Sequence, residues 1–99
     1  MIVRVLPRQG GKTTEMIRLA ADEFLYIVCP DLRQVRHIAA EAERLGLDIP
    51  FPLTWHEFAA NQWYGKGIKG FVIDNLDICV QSIAHGLPIR AVTLTGDAR

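Results

Sequence analysis

The stretch Val3-Arg-Val-Leu-Pro-Arg-Gln-Gly-Gly-Lys-Thr-Thr14 runs a short apolar strand into a glycine-bearing turn closed by Gly11-Lys12-Thr13, and residues with helical periodicity follow. A turn of this kind at the start of a helix points successive backbone N–H groups at one spot, where the helix N-terminus adds positive potential. Such a turn suits phosphate. Lys12 can reach the outer phosphates of a nucleotide, and the Thr13 hydroxyl can ligate its magnesium ion. Pro7 has no N–H to offer, so the donors run from Gln9 through Gly10, Gly11, Lys12, Thr13 and Thr14. The plainer alternative is an ordinary turn in which Thr13 or Thr14 only begins a helix. The strand before and the helix after favour the phosphate loop. Arg8 either grips a γ-phosphate with its fork or is a solvated loop arginine.

Strands and helices then alternate. Residues 2 to 6 and 24 to 29 read as strands, with a helix between them carrying Met16, Ile17, Leu19, Ala20 and Ala21 inward and Arg18, Asp22 and Glu23 outward. Asp31 is placed to cap a second helix, whose Leu32, Val35, Ile38, Ala39, Ala42 and Leu45 recur at three- and four-residue steps before Gly46 stops it. Pro50 and Pro52 permit only an edge strand or extended loop. Thr54-Trp-His-Glu57 has the capping-box pattern and launches a short helix. Residues 61 to 70 read as a loop, and Ile68 to Asp74 as a strand buried on both faces. A helix through Leu76, Cys79, Val80 and Ile83 ends at Gly86, and Ile89 to Thr95 is expected to form a last strand. This alternation predicts an α/β fold in three layers, a mainly parallel sheet of four or five strands with helices on both faces. Ligands of such sheets lie at the carboxyl ends of the strands.

The second carrier of chemistry is Phe71-Val-Ile-Asp74, an apolar strand ending in a carboxylate. Asp74 either holds the magnesium shell of a bound nucleotide or caps the helix that follows. A phosphate loop upstream favours the first. Asn75 comes next; an amide cannot act as a general base near neutral pH, although it can orient a water. Asp77 is expected to do no more than favour the positive start of its helix.

Residues 6 to 13 resemble the Walker A motif of P-loop nucleoside triphosphatases, with Leu6 where the family's first glycine stands, and Phe71 to Asp74 resemble a Walker B motif. Arg8-Gln9 ahead of Gly-Gly-Lys-Thr is similar to the variant loops of helicase-like and terminase-like ATPases. Tyr26 to Pro30 and Val92 to Gly96 resemble secondary motifs of the helicase-like core, and size and motif order are similar to small ATPase-like proteins of bacteriophages. The resemblance implies a single minimal P-loop domain over residues 1–99 that binds ATP or another triphosphate with magnesium. It corresponds to the first lobe of those enzymes, without the second lobe and its arginine finger. Those enzymes follow the Walker B aspartate with glutamate, so Asn75 implies slow hydrolysis, or hydrolysis completed by a partner or by oligomerisation. The alternative is a non-catalytic binding or regulatory module for nucleic acid or a host protein.

Composition narrows the partners. Eleven basic and eleven acidic residues leave no formal net charge, which argues against a globally cationic nucleic-acid binder. Trp63, Tyr64, Lys66 and Lys69 form an aromatic and basic loop that could stack on bases; more often such a loop is a solvated connection with one aromatic tucked into the core. Cys29 and Cys79 have no zinc spacing and read as reduced core thiols, and His37, His56 and His85 do not cluster. With no secretory signal and no membrane-length apolar segment, the expected setting is cytoplasmic.

Overall fold

A computed structural model describes residues 12–63 and 67–95. The expected strand over residues 2 to 6 and the loop residues Arg8, Gln9, Gly10 and Gly11 lie outside the described residues. The first described element is the helix α1, Lys12–Glu23, which buries Met16, Ile17 and Ala20 and exposes Arg18, Asp22 and Glu23. Leu19, expected inward, is 40% exposed. At 100° per residue it sits about 100° around the helix from the centre of the buried stripe.

Phe24, with φ 55°, turns the chain, and the N–H of Leu25 returns to the Ala20 carbonyl at 3.0 Å. The strand β1, Tyr26–Cys29, follows and is buried throughout. Helix α2, Leu32–Leu45, begins where Asp31 accepts the Gln34 N–H at 2.9 Å and ends at Gly46 in the left-handed region, φ 70°. Glycine enters that region without a Cβ penalty. Two residues, Leu53–Thr54, form β2 after the prolines. Thr54 then caps the short helix α3, Trp55–Ala59: its hydroxyl accepts the Glu57 N–H at 3.1 Å while the Glu57 carboxylate accepts the Thr54 N–H at 2.8 Å. Strand β3, Phe71–Ile73, and helix α4, Leu76–Ser82, complete the described elements.

The three strands form one parallel sheet in the order β2-β1-β3. Tyr26, Ile27 and Val28 stand opposite Phe71, Val72 and Ile73. Side chains alternate across a strand, so Leu25, Ile27 and Cys29 share one face. That face packs on Met16, Ile17 and Ala20 of α1 and on Val35, Ile38 and Ala42 of α2. The opposite face carries Tyr26, which stacks on Phe71 at 6.1 Å, and Phe71 meets Phe58 of α3 at 4.8 Å and Trp63 at 5.1 Å. Helices therefore lie on both faces, as an α/β architecture requires.

Two expectations are corrected. The described residues contribute three strands to the sheet, and Ile89 to Thr95, expected to form a last strand, is exposed, irregular chain. Its apolar residues change face between Ala91 and Val92, and no described strand lies alongside to complete a ladder. Near its start the Gln81 side chain provides the substitute, with its amide donating to the Leu87 carbonyl at 2.6 Å and its oxygen accepting the Ile89 N–H at 2.8 Å. The second correction concerns β3, expected to be buried on both faces. Val72 and Ile73 are half-buried and Phe71 is 36% exposed, because only β1 flanks it among the described strands. Among the described residues, no helix is long and apolar enough to cross a membrane.

Candidate functional site

The order β2-β1-β3 makes the chain move outward from β1 in both directions, to β2 through α2 and then across to β3. In open parallel sheets the crevice beyond the carboxyl ends of the strands at such a reversal is where ligands are received. Cys29 ends β1 at that rim and Pro30 and Asp31 follow it, while Asp74 and Asn75 follow β3. The pairing continues past the strand end, since the Asp74 N–H donates to the Val28 carbonyl at 2.8 Å. Asp74 is thereby drawn inside, 4% exposed, the only charged residue among the buried described ones.

Lys12 reaches the same spot from the start of α1. Its Nζ donates to Asn75 Oδ1 at 2.7 Å and lies 3.7 Å from Asp74 Oδ1. The first separation is a hydrogen bond; the second is an ion pair held by charge alone. Among the described residues, Asp74 Oδ1 is left buried with no hydrogen-bond partner. Burial pushes the Asp74 carboxyl above its ordinary range, and the Lys12 ammonium pulls only part of the way back. Asp77, exposed in the first turn of α4, pushes it slightly further up. Thr13 and Thr14, half-buried, occupy the first turn of α1 beside Lys12.

Asn75 has φ 54° and ψ 57°, and its side chain makes no capping bond to α4. Asparagine tolerates this left-handed geometry better than most residues with a Cβ. Its amide is free to face the lysine. The sequence pointed to Asn75 as a water-orienting group; its bond to Lys12 across 63 residues was not legible there.

The two buried thiols lie near Asp74. Cys79 Sγ donates to the Asp74 carbonyl at 3.4 Å, and Cys29 ends the neighbouring strand. Burial first, then the charge of Asp74, pushes Cys29 up to about 12 and Cys79 up to about 11. Both stay protonated near neutral pH and act as small apolar packing.

The aromatic loop is only partly described, Tyr64 and Lys66 lying outside the described residues. Trp63 is half-buried and stacks on Phe58 at 5.7 Å, and Phe58 also meets Trp55 at 5.8 Å. The Trp63 ring thus packs in the aromatic cluster on the sheet. Lys69 is exposed, and its backbone N–H donates to the Phe24 carbonyl at 3.1 Å. His37, His56 and His85 are exposed on separate segments, and among the described residues no three His, Cys, Asp or Glu side chains gather as a metal site. Among the described residues the one buried carboxylate a hard cation would find here is Asp74. That donor set suits magnesium, which keeps waters and takes phosphate oxygens beside one or two carboxylates.

A buried carboxylate with an unfilled oxygen opposes folding once ionised. The folded-state pKa of Asp74 is raised above its unfolded value, so the folded protein holds that proton more tightly. Stability then falls as pH rises from the ordinary carboxylate range through the raised pKa, and the penalty persists above it. Asp74→Asn is expected to raise the unfolding midpoint at neutral pH and to flatten that slope, checked by thermal melts from pH 4 to pH 8. Family models, curated proteins and solved structures were all compared with this chain, and none matches it.

Proposed function

We propose that this chain binds a nucleoside triphosphate, with ATP as the type ligand, together with magnesium at the rim where α1, β1 and β3 meet. One observation carries the reading: the Lys12 ammonium, at the start of a helix, stands beside a buried carboxylate whose Oδ1 has no hydrogen-bond partner among the described residues. A lysine and an aspartate arranged in this way fit the two ends of one ligand, phosphate oxygens on the cation and a hard metal on the carboxylate. The glycine turn that precedes Lys12 in the sequence supplies the reason to name phosphate.

In this reading the backbone N–H groups of Gln9 to Thr14 and the Lys12 ammonium hold phosphate oxygens, and Arg8 adds a second cation. Thr13 and Asp74 would hold magnesium, which neutralises phosphate charge when bound. Asn75 takes the place of a carboxylate base. Its amide has no useful basicity near neutral pH, so proton removal from water is weak and turnover is slow unless a partner completes the site. The same substitution favours, as a second reading, a module that uses nucleotide binding for regulation and hardly turns over.

Calorimetry with magnesium-ATP tests the proposal. Binding with a dissociation constant below about 1 mM is expected, corresponding to more than about 4 kcal/mol. The affinity is expected to fall when magnesium is chelated. Absence of heat at millimolar nucleotide, with the protein folded by circular dichroism, would refute it. Phosphate release with and without single-stranded DNA, RNA or candidate proteins separates the two readings: stimulation indicates a partner-completed ATPase, and uniformly negligible release a binding module.

A further inference from the structure

We infer that Asn75 is a latch on Lys12, holding the ammonium away from incoming phosphate until a ligand displaces it. The inference rests on the nucleotide-binding reading and adds a regulatory contact to it. Among the described residues Lys12 has two acceptors within reach, and the neutral one is nearer: Asn75 Oδ1 at 2.7 Å against Asp74 Oδ1 at 3.7 Å. An ammonium donates a charge-assisted bond to either oxygen, and Coulomb attraction favours the carboxylate. The shorter contact is nonetheless to the amide, and among the described residues Asp74 Oδ1 stays without a hydrogen bond although buried.

The backbone explains the choice. With Asn75 in the left-handed region, its side chain leaves α4 uncapped and meets the lysine instead. Thus the residue after the carboxylate draws the cation toward the start of α4. The Lys12 side chain is 27% exposed, so solvent and ligands can reach it. Phosphate carries full negative charge and outcompetes a neutral amide once it arrives, but the Lys12–Asn75 bond has to break first. Breaking it lowers the net gain from binding. The vacated amide can then turn its N–H groups toward a phosphate oxygen, because one amide both accepts and donates.

Asn75→Gly removes the amide while keeping a residue at ease with φ 54°. In titrations with magnesium-ATP and with pyrophosphate, Asn75→Gly is expected to bind about 3- to 10-fold more tightly than wild type, the effect of removing one modest competing hydrogen bond. Lysine ammonium ¹⁵N–¹H spectra of the ligand-free proteins read the contact directly. The Lys12 signal should be protected from solvent exchange in wild type and should lose that protection in Asn75→Gly. Equal or weaker binding by Asn75→Gly, with wild type binding normally, overturns the latch and leaves the nucleotide reading standing. A Lys12 signal that exchanges like those of the other lysines in wild type also overturns it. Failure of both proteins to bind either probe overturns the nucleotide reading and the latch together. Binding by Asn75→Gly alone supports both.

Discussion

Lys12→Ala is expected to weaken magnesium-ATP binding about 30- to 150-fold, the range that follows from losing a hydrogen bond to a charged group worth about 2 to 3 kcal/mol. Calorimetry against wild type measures it, and equal affinity would remove Lys12 from the site. A second consequence appears without any ligand. Lys12 provides the strongest pull keeping Asp74 ionised, so its loss leaves a buried carboxylate with burial opposing its charge. The Asp74 pKa then rises further, and the folded state favours the protonated acid even more. Lys12→Ala should therefore be destabilised relative to wild type at neutral pH and should recover as pH falls toward the ordinary carboxylate range. Adding Asp74→Asn should abolish that pH dependence, because no ionisable carboxyl remains to be penalised. A pH-independent loss in Lys12→Ala would mean that the lysine stabilises the fold by packing alone.

Ile27→Ala should be the most damaging single truncation of the core, lowering unfolding free energy by about 3 to 4 kcal/mol in urea titrations. Ile27 is completely buried in the central strand and clusters with α1, α2 and Val72 of the neighbouring strand. A domain of this size commonly has only about 5 to 15 kcal/mol in total, so the thermal midpoint should drop by more than about 15 °C. Leu94, also apolar and branched, gives the contrast. It is 56% exposed, and Leu94→Ala should change stability by less than about 0.5 kcal/mol. A comparable loss at both positions would show that residues 89 to 95 pack as a strand in solution.

The helices were legible in the sequence because their signals are local. Asp31, Gln34 and Gly46 specify both ends of α2 within one turn of each end, and Thr54 and Glu57 close a reciprocal box three residues apart. Strands depend on neighbours that are distant in sequence. Ile89 to Thr95 has strand-like composition, but composition cannot supply a partner, and the segment lies exposed with Gln81 holding its start. Phe71 to Ile73 does find β1, yet on one side only among the described strands, which is why its burial was overestimated.

The candidate site divides in the same way. Residue types and order alone named Lys12, Thr13, Asp74 and Asn75 as chemistry-bearing, since a glycine turn before a lysine and an apolar run before an aspartate are patterns of adjacent residues. Trp63 shows the limit: its sequence context favoured a solvated loop with one aromatic tucked into the core over stacking on bases but did not say which aromatic, and contacts with Phe58 and Phe71 place its ring on the sheet. Only the tertiary structure decided that Asp74 is buried with an oxygen unpartnered among the described residues and that Lys12 bonds to the amide beside it. Both facts depend on how α1 and β3 meet across 63 residues of chain and on the left-handed backbone of Asn75. Distance and direction between remote side chains are set by packing, and local sequence carries no measure of either.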